Sequence, residues 1–298
     1  MKRDNEYLYG YSFFPQSPLS WLAPWWSFAC GVLASGAWRW DWASALRGLT
    51  GLLLACPLLG TAWAACVQHD WRLQAGEADN SQPEPGDRVL PYTLPDSPQS
   101  VLATELGRWM RWWSRVRTRL GTPLVRLLVA GGFSLVIALQ IGSTSALLVA
   151  CGLAMAVSSA SSLLARQRQS LSIWMPMLLT WLLGHTTFSA LRLNSAVAGW
   201  GCAVILVGLS LLDQPDAARN DRLGPPVSLW PAMGYMVLAA ILLAAVQPLA
   251  AAVVVMLGTL PLVMASARLK GDGPAFFGPI QWSVLATMLA AGLALGYR

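Results

Sequence analysis

Nine separate stretches of this chain stay apolar over the thickness of a bilayer, and that pattern constrains its fold more than any other feature. They cover residues 18–38, 43–67, 124–141, 144–164, 171–191, 195–212, 228–246, 248–267 and 279–296. A helix needs roughly 17–25 such residues to cross the hydrocarbon core. Backbone groups in lipid cannot be left unpaired, so the expected fold is all-α, a membrane protein with nine transmembrane helices. Charged residues make up 11% of the chain, well under the roughly 25% of a soluble domain.

The basic residues divide unequally between the two sides of such a bundle. The side holding the N-terminus carries fifteen: Lys2, Arg3, Arg72, Arg88, Arg108, Arg111, Arg115, Arg117, Arg119, Arg166, Arg168, Arg219, Arg222, Arg268 and Lys270. The other side carries four, Arg39, Arg47, Arg192 and Arg298. Basic residues collect on the cytoplasmic side, which places the N-terminus in the cytoplasm and the protein in the inner (cytoplasmic) membrane. The start of the chain, with Lys2, Arg3, Asp4 and Glu6 ahead of Phe13-Phe14-Pro15, has no short apolar run and cleavage site of a signal peptide. The net charge of +6 is a topology signal on this reading, and nucleic acid is not an expected partner.

The five cysteines (Cys30, Cys56, Cys66, Cys151, Cys202) all fall inside the apolar stretches at spacings that match no metal motif. Only His69 and His185 could add imidazole ligands, and they are far apart in sequence. Zinc and haem are therefore not expected.

The chain reads as a single multi-pass domain, 1–298, with one long interruption at 68–121. Residues 68–100 are polar and carry Pro83, Pro85, Pro91, Pro95 and Pro98, the composition of an irregular cytoplasmic loop. Over 105–120, Trp109, Trp112, Trp113 and Val116 recur at helical spacing opposite Arg108, Arg111, Arg115 and Arg119. That pattern describes an amphipathic helix lying in the interface, rings at headgroup level and guanidinium groups on anionic lipid. It serves as a membrane anchor or lines the mouth of a lipid-substrate cavity.

Acidic residues concentrate after the second apolar stretch (Asp70, Glu77, Asp79) and after the sixth (Asp213, Asp216, Asp221), with Arg72, Arg166 and Arg222 on the same side. Carboxylates from two helix ends can share Mg²⁺, a hard cation that prefers oxygen ligands and retains phosphate oxygens, and arginine forks bind the remaining phosphate oxygens. Such a set suits a polyprenyl diphosphate; equally, acidic residues at helix ends serve as solvated caps. The external loops, Gly142-Ser143 and Arg192-Leu193-Asn194, offer no comparable chemistry. No acidic, basic or imidazole side chain sits mid-span except His185, read as a bundle-facing hydrogen-bonding residue or, alternatively, a magnesium ligand for a chlorin. Sixteen tryptophans read mainly as interfacial belts, those near cytoplasmic ends alternatively as stacking surfaces for a flat ring. Gly131-Gly132 and the pair Gly199 and Gly201 read as close-packing positions.

The chain resembles the UbiA superfamily of intramembrane prenyltransferases, and within it the chlorophyll and bacteriochlorophyll synthases. Residues 18–31, PLSWLAPWWSFACG, ending in Ser35-Gly36, resemble that family's P-x-T-W-x-P-P-x-W-A-F-x-C-G…S-G. Pro57-Leu58-Leu59-Gly60-Thr61 resembles G-P-L-x-C-G-T, and Asp87-Arg88-Val89-Leu90-Pro91 resembles D-R-P-I-P. Ser159-Ala160-Ser161-Ser162-Leu163 with Arg166-Gln167 stands at Y-S-A-P-P-L…K-Q. Trp181 and Gly184 match P-W-x-x-G, and Asn220-Asp221-Arg222 with Gly224 resembles G-D-R-x-x-G. The matches run in family order from about residue 18 to 225.

The departures fall on the metal ligands. In one register of the family's N-D-x-x-D-x-x-x-D motif, Cys66 and Val67 replace Asn-Asp, Asp70 is the second acid and Gln74 replaces the third. In the other, Asp70 is the first acid, Leu73 replaces the second, Glu77 is the third and Asn80 is in register. In the second motif Asp213-Gln214 stands where Asn-Asp is expected. The resemblance thus implies nine helices around a central cavity, with Mg²⁺ on Asp70, Glu77, Asp213 and Asp221 and diphosphate on Arg72, Arg166, Arg222 and Asn80. It implies prenyl transfer from a polyprenyl diphosphate to a chlorin or other aromatic or lipid acceptor. With carboxylates missing, the alternative is a catalytically degenerate relative that binds pigment or isoprenoid for delivery or complex assembly.

Overall fold

The computed structural model describes residues 22–67, 121, 124–161, 165–212, 226–269 and 277–297, and the regular structure among them is entirely helical. The elements are α1 (Leu22–Ser35), α2 (Trp42–Leu53), a π-helical turn (Leu54–Leu58), α3 (Leu59–Val67), α4 (Leu124–Ile141), α5 (Ser143–Ser161), α6 (Ala165–Phe188), α7 (Leu193–Leu212), α8 (Pro226–Ala244), α9 (Pro248–Leu269) and α10 (Phe277–Gly296). Each of the nine apolar stretches contains one of these helices, the second built from α2, the π turn and α3 in series. Among the described residues two helices are long and apolar enough to cross a membrane, Trp42–Cys66 and Leu124–Ile141, and shorter apolar runs lie on α5 and on α7 to α10. The loop and amphipathic helix expected over 68–121 lie outside the described residues, apart from Gly121.

Local chemistry sets the helix ends. Gly36, in the left-handed region at φ 64, closes α1 by donating its N–H to the Leu33 carbonyl, a conformation glycine adopts without steric cost. Asp41 then caps α2, its Oδ1 accepting from the Ser44 N–H at 2.6 Å, one of the orphan donors of a helix start. Pro57 sits inside the π turn; it supplies no N–H and interrupts the α-helical ladder there, and the Thr61 hydroxyl donates to the Pro57 carbonyl.

Two helices form a spine. α1 and α6 pack closely because small residues face backbone across them: a Cβ on Gly31 would stand 2.1 Å from the Trp181 carbonyl oxygen, and one on Gly184 2.2 Å from that of Phe28. Ser27 Oγ donates to the Met177 carbonyl at 2.8 Å across the same seam. On one side of the spine stand α7 to α10, with α10 returning to pack on α1. Their shared core includes Cys30, Trp181, Cys202, Ile205, Leu238, Ile280 and Met288. On the other side, α2, α3, α4 and α5 enclose a second core of Phe28, Leu54, Trp63, Val149, Leu179 and Leu183.

All the described connectors (36–41, 142, 189–192, 245–247 and the segment after α10) lie at one end of the bundle. Gly36 abuts Gly296, the Trp38 and Phe188 rings meet edge-on at 5.4 Å, and Gln247 Nε2 donates to the Tyr297 carbonyl at 3.4 Å. The outer surface is apolar on helix after helix, including Leu46, Leu49 and Leu53 on α2, Val129, Phe133 and Val136 on α4, and Met236, Met256 and Leu260 on α8 and α9. Apolar exposure repeated along successive helices differs from the singly scattered apolar side chains of a water-facing surface.

Candidate functional site

The helix directions place the segments that carry the chemistry. α3 and α7 both run away from the end that holds the described connectors, and α6 begins at the opposite end. Residues 68–80, residues 213–222 and Arg166, in the first turn of α6, therefore all attach at one end of the bundle. α6 packs on both α3 and α7, meeting α3 in the core shared by Trp63, Cys66, Met175 and Leu179. Asp70, Arg72, Glu77, Asn80, Asp213, Asp221 and Arg222 themselves lie outside the described residues. Among the described residues no three His, Cys, Asp or Glu side chains gather as a metal site.

The residues quoted for the family resemblance that do fall in described structure are concentrated at the spine. Trp26 Nε1 donates to the Leu285 carbonyl at 2.8 Å, tying α1 to α10. Trp181, fully buried, donates from Nε1 to the Ser195 carbonyl at 2.9 Å, and its ring lies where a Cβ on Gly199 would stand 2.6 Å from it. Cys30, Gly31, Trp181 and Gly184 thus share one packed layer spanning α1, α6 and α7. At this level the interior is closed by side chains, with Trp181, Ile205, Leu238 and Ile280 all fully buried.

His185 lies in the last turn of α6, at the end away from the acidic segments. Its Nδ1 is 2.8 Å from Ser189 Oγ, while Nε2 is buried without a partner. An atom with no accessible surface has no room for an axial bond to a chlorin metal, so the hydrogen-bonding reading describes this residue. The tryptophans divide as well. Trp40, Trp42 and Trp282 are well exposed, whereas Trp63 and Trp181 are core residues, not belt residues.

The glycine expectations need correction. Gly199 and Gly201 do sit in tight helix contacts, but Gly131 meets only the Leu153 side chain at ordinary distance and Gly132 faces open space. The closest approaches involve Gly31, Gly184, Gly208, Gly234 and Gly296, of which Gly31 and Gly184 stand out in the sequence by motif but none as a packing position. Their signal was faint: Gly31 and Gly184 lie 153 positions apart, and nothing in one sequence pairs them. Arg126, in the first turn of α4, also escaped the charge count; it belongs to the heavily basic end. No protein-family model, curated protein or solved structure matches the chain.

Proposed function

We propose that this chain is a UbiA-type prenyltransferase homologue, crossing the cytoplasmic membrane nine times, that transfers a polyprenyl group from its diphosphate to a chlorin or another aromatic or lipid acceptor. The observation that carries the reading is the convergence of both acidic segments and Arg166 at one end of the bundle, the end to which most of the basic residues attach. The apolar outer surface supports immersion in lipid, where no backbone group can be left to water. Asp70, Glu77, Asp213 and Asp221 would hold Mg²⁺, which offsets charge on the departing diphosphate. Arg72, Arg166, Arg222 and Asn80 would bind phosphate oxygens. The allylic C–O bond to diphosphate breaks, and the acceptor oxygen or carbon supplies the electron pair for the new bond. The proposal places the cavity between the ends of α3, α6 and α7, beyond the packed layer at Trp181.

The absent carboxylates, Leu73 or Val67 in the first motif and Gln214 in the second, favour a second reading, a binding protein that retains the fold and delivers pigment or isoprenoid without chemistry. Purified protein incubated with geranylgeranyl or phytyl diphosphate separates the two. Prenyl transfer predicts Mg²⁺-dependent diphosphate release that EDTA abolishes and Asp221→Ala lowers at least ~100-fold, since loss of a metal ligand exceeds the 10–100-fold typical of its outer neighbours. Absence of release with both quinone-precursor and chlorin acceptors, together with near-stoichiometric co-purifying pigment, establishes the binding reading instead.

A further inference from the structure

At the end of the bundle that holds the described connectors, the turn tips are apolar where Gly, Asn, Asp or Ser ordinarily stand. Trp40 is 97% exposed, Val246 and Leu249 are each 83% exposed, and Tyr297 is 84% exposed. These side chains form one face. The hydrogen bond from Gln247 Nε2 to the Tyr297 carbonyl sets the 245–249 turn beside residue 297, and the Gly36–Gly296 contact brings the connector bearing Trp40 to the same place.

Val246 is the decisive residue. It sits in the left-handed region at φ 59, which a β-branched side chain adopts only against steric opposition. The turn closes α8 through Val246 N–H to the Leu243 carbonyl and Gln247 N–H to the Leu242 carbonyl. Glycine or asparagine makes the same closure without strain. The 83% exposed side chain gains almost no packing within its own chain, and the backbone closures alone hold the turn against the strain. The charges on this face have a definite sign: Arg39, Arg47 and Arg192 are exposed, while the nearby Asp41 carboxylate is engaged by the Ser44 amide.

We propose that this end face is seated in the interfacial layer of a lipid leaflet. Its aromatic and aliphatic tips enter the acyl boundary, and its arginines meet lipid phosphates. Exposed guanidinium groups beside apolar tips complement an anionic headgroup layer over hydrocarbon; a water-facing end would leave the apolar exposure without return. The inference rests on the bilayer-spanning part of the reading above and is independent of prenyl transfer.

The test uses full-length protein carrying Cys151→Ser, which removes the exposed native thiol. Nitroxides are placed at Trp40→Cys, Val246→Cys and Leu249→Cys, and at Phe133→Cys halfway along α4 as a reference, in phosphatidylcholine–phosphatidylglycerol vesicles. Oxygen should collide with all four labels more often than an aqueous nickel chelate does, with the three tips shallower than position 133. Val246→Gly should melt at higher temperature than the parent in detergent, because the turn strain is gone. Tips that the nickel chelate reaches freely while position 133 stays in lipid overturn the proposal, as does a Val246→Gly variant with no gain. Labels shielded from both reagents reveal a protein partner and also overturn it. A water-accessible position 133 instead removes the bilayer reading itself.

Discussion

Gly31 and Gly184 set the distance between the two spine helices, and both oppose backbone atoms that cannot swing aside. A methyl group at either position forces α1 and α6 apart and pulls Ser27 away from the Met177 carbonyl. Gly31→Ala or Gly184→Ala should therefore destabilise the folded protein by about 3 kcal/mol or more, the upper range of overpacking. Gly132→Ala, into open space, should lie within about 1 kcal/mol of the parent on the stabilising side, from helix propensity alone. Melting temperatures in one detergent check the contrast, and equal losses for Gly31→Ala and Gly132→Ala would refute the packing argument. At this scale the sequence was informative about chemistry and poor about contact. Trp181 and Gly184 stood out by motif, but that the Trp181 ring packs on Gly199 while its backbone abuts Gly31 depends on three helices meeting, and no single stretch encodes that. His185 was legible as a bundle-facing residue because an imidazole within an apolar run must find a partner, here Ser189.

Asp41 shows how a helix boundary depends on one ionisation. The backbone hydrogen bond from Ser44 favours the charged carboxylate and holds its pKa below the usual carboxylate value, assisted by Arg39 and Arg47. Because the folded value is depressed, the cap's contribution is fully present above the unfolded pKa and is lost as pH falls through the folded one. Amide protection factors over Trp42–Ala45, with the intrinsic pH dependence of exchange divided out, should thus fall on acidification in the native protein. They should be indifferent to pH in Asp41→Asn, which keeps a capping oxygen without the titration, and low at every pH in Asp41→Ala. Native and Asp41→Asn profiles that coincide would discount the charge. The described helices were readable because each apolar run is long enough to demand internal hydrogen bonding. Their limits were less so. α6 begins at Ala165, ahead of the apolar run starting at 171, because arginine and glutamine are good helix formers and hydropathy reports burial, not backbone conformation. The π turn at Leu54–Leu58 left no mark beyond Pro57, since its extra residue is as apolar as its neighbours.

On the scale of the whole molecule, alternation of helix direction fixes which segments share an end, and this much could be counted along the chain. Lateral neighbours could not: α1 lies beside α6 and α10, a choice made by small residues whose pairing no single sequence displays. The acidic segments are consequently known to share an end while the side-chain geometry that would join them is not given by that count. With Arg126 included, sixteen basic residues attach to the acidic end and four, Arg39, Arg47, Arg192 and Arg298, to the other. In the proposed nine-crossing arrangement that asymmetry would orient the bundle with the acidic end in the cytoplasm, because positively charged loops resist translocation. A fusion of alkaline phosphatase after Arg192 should be active and a fluorescent-protein fusion there dark. After Arg222, one helix further along, the readouts should reverse. Because α7 alone separates the two junctions, the pair tests one crossing and its direction together. Active phosphatase at both junctions, or at neither, would mean that α7 does not cross, and with it the placement of Asp213 and Asp221 opposite the external face would fall. Activity after Arg222 and none after Arg192 would keep the crossing but invert the protein, taking the acidic segments away from the cytoplasmic supply of prenyl diphosphate on which the proposed reaction depends.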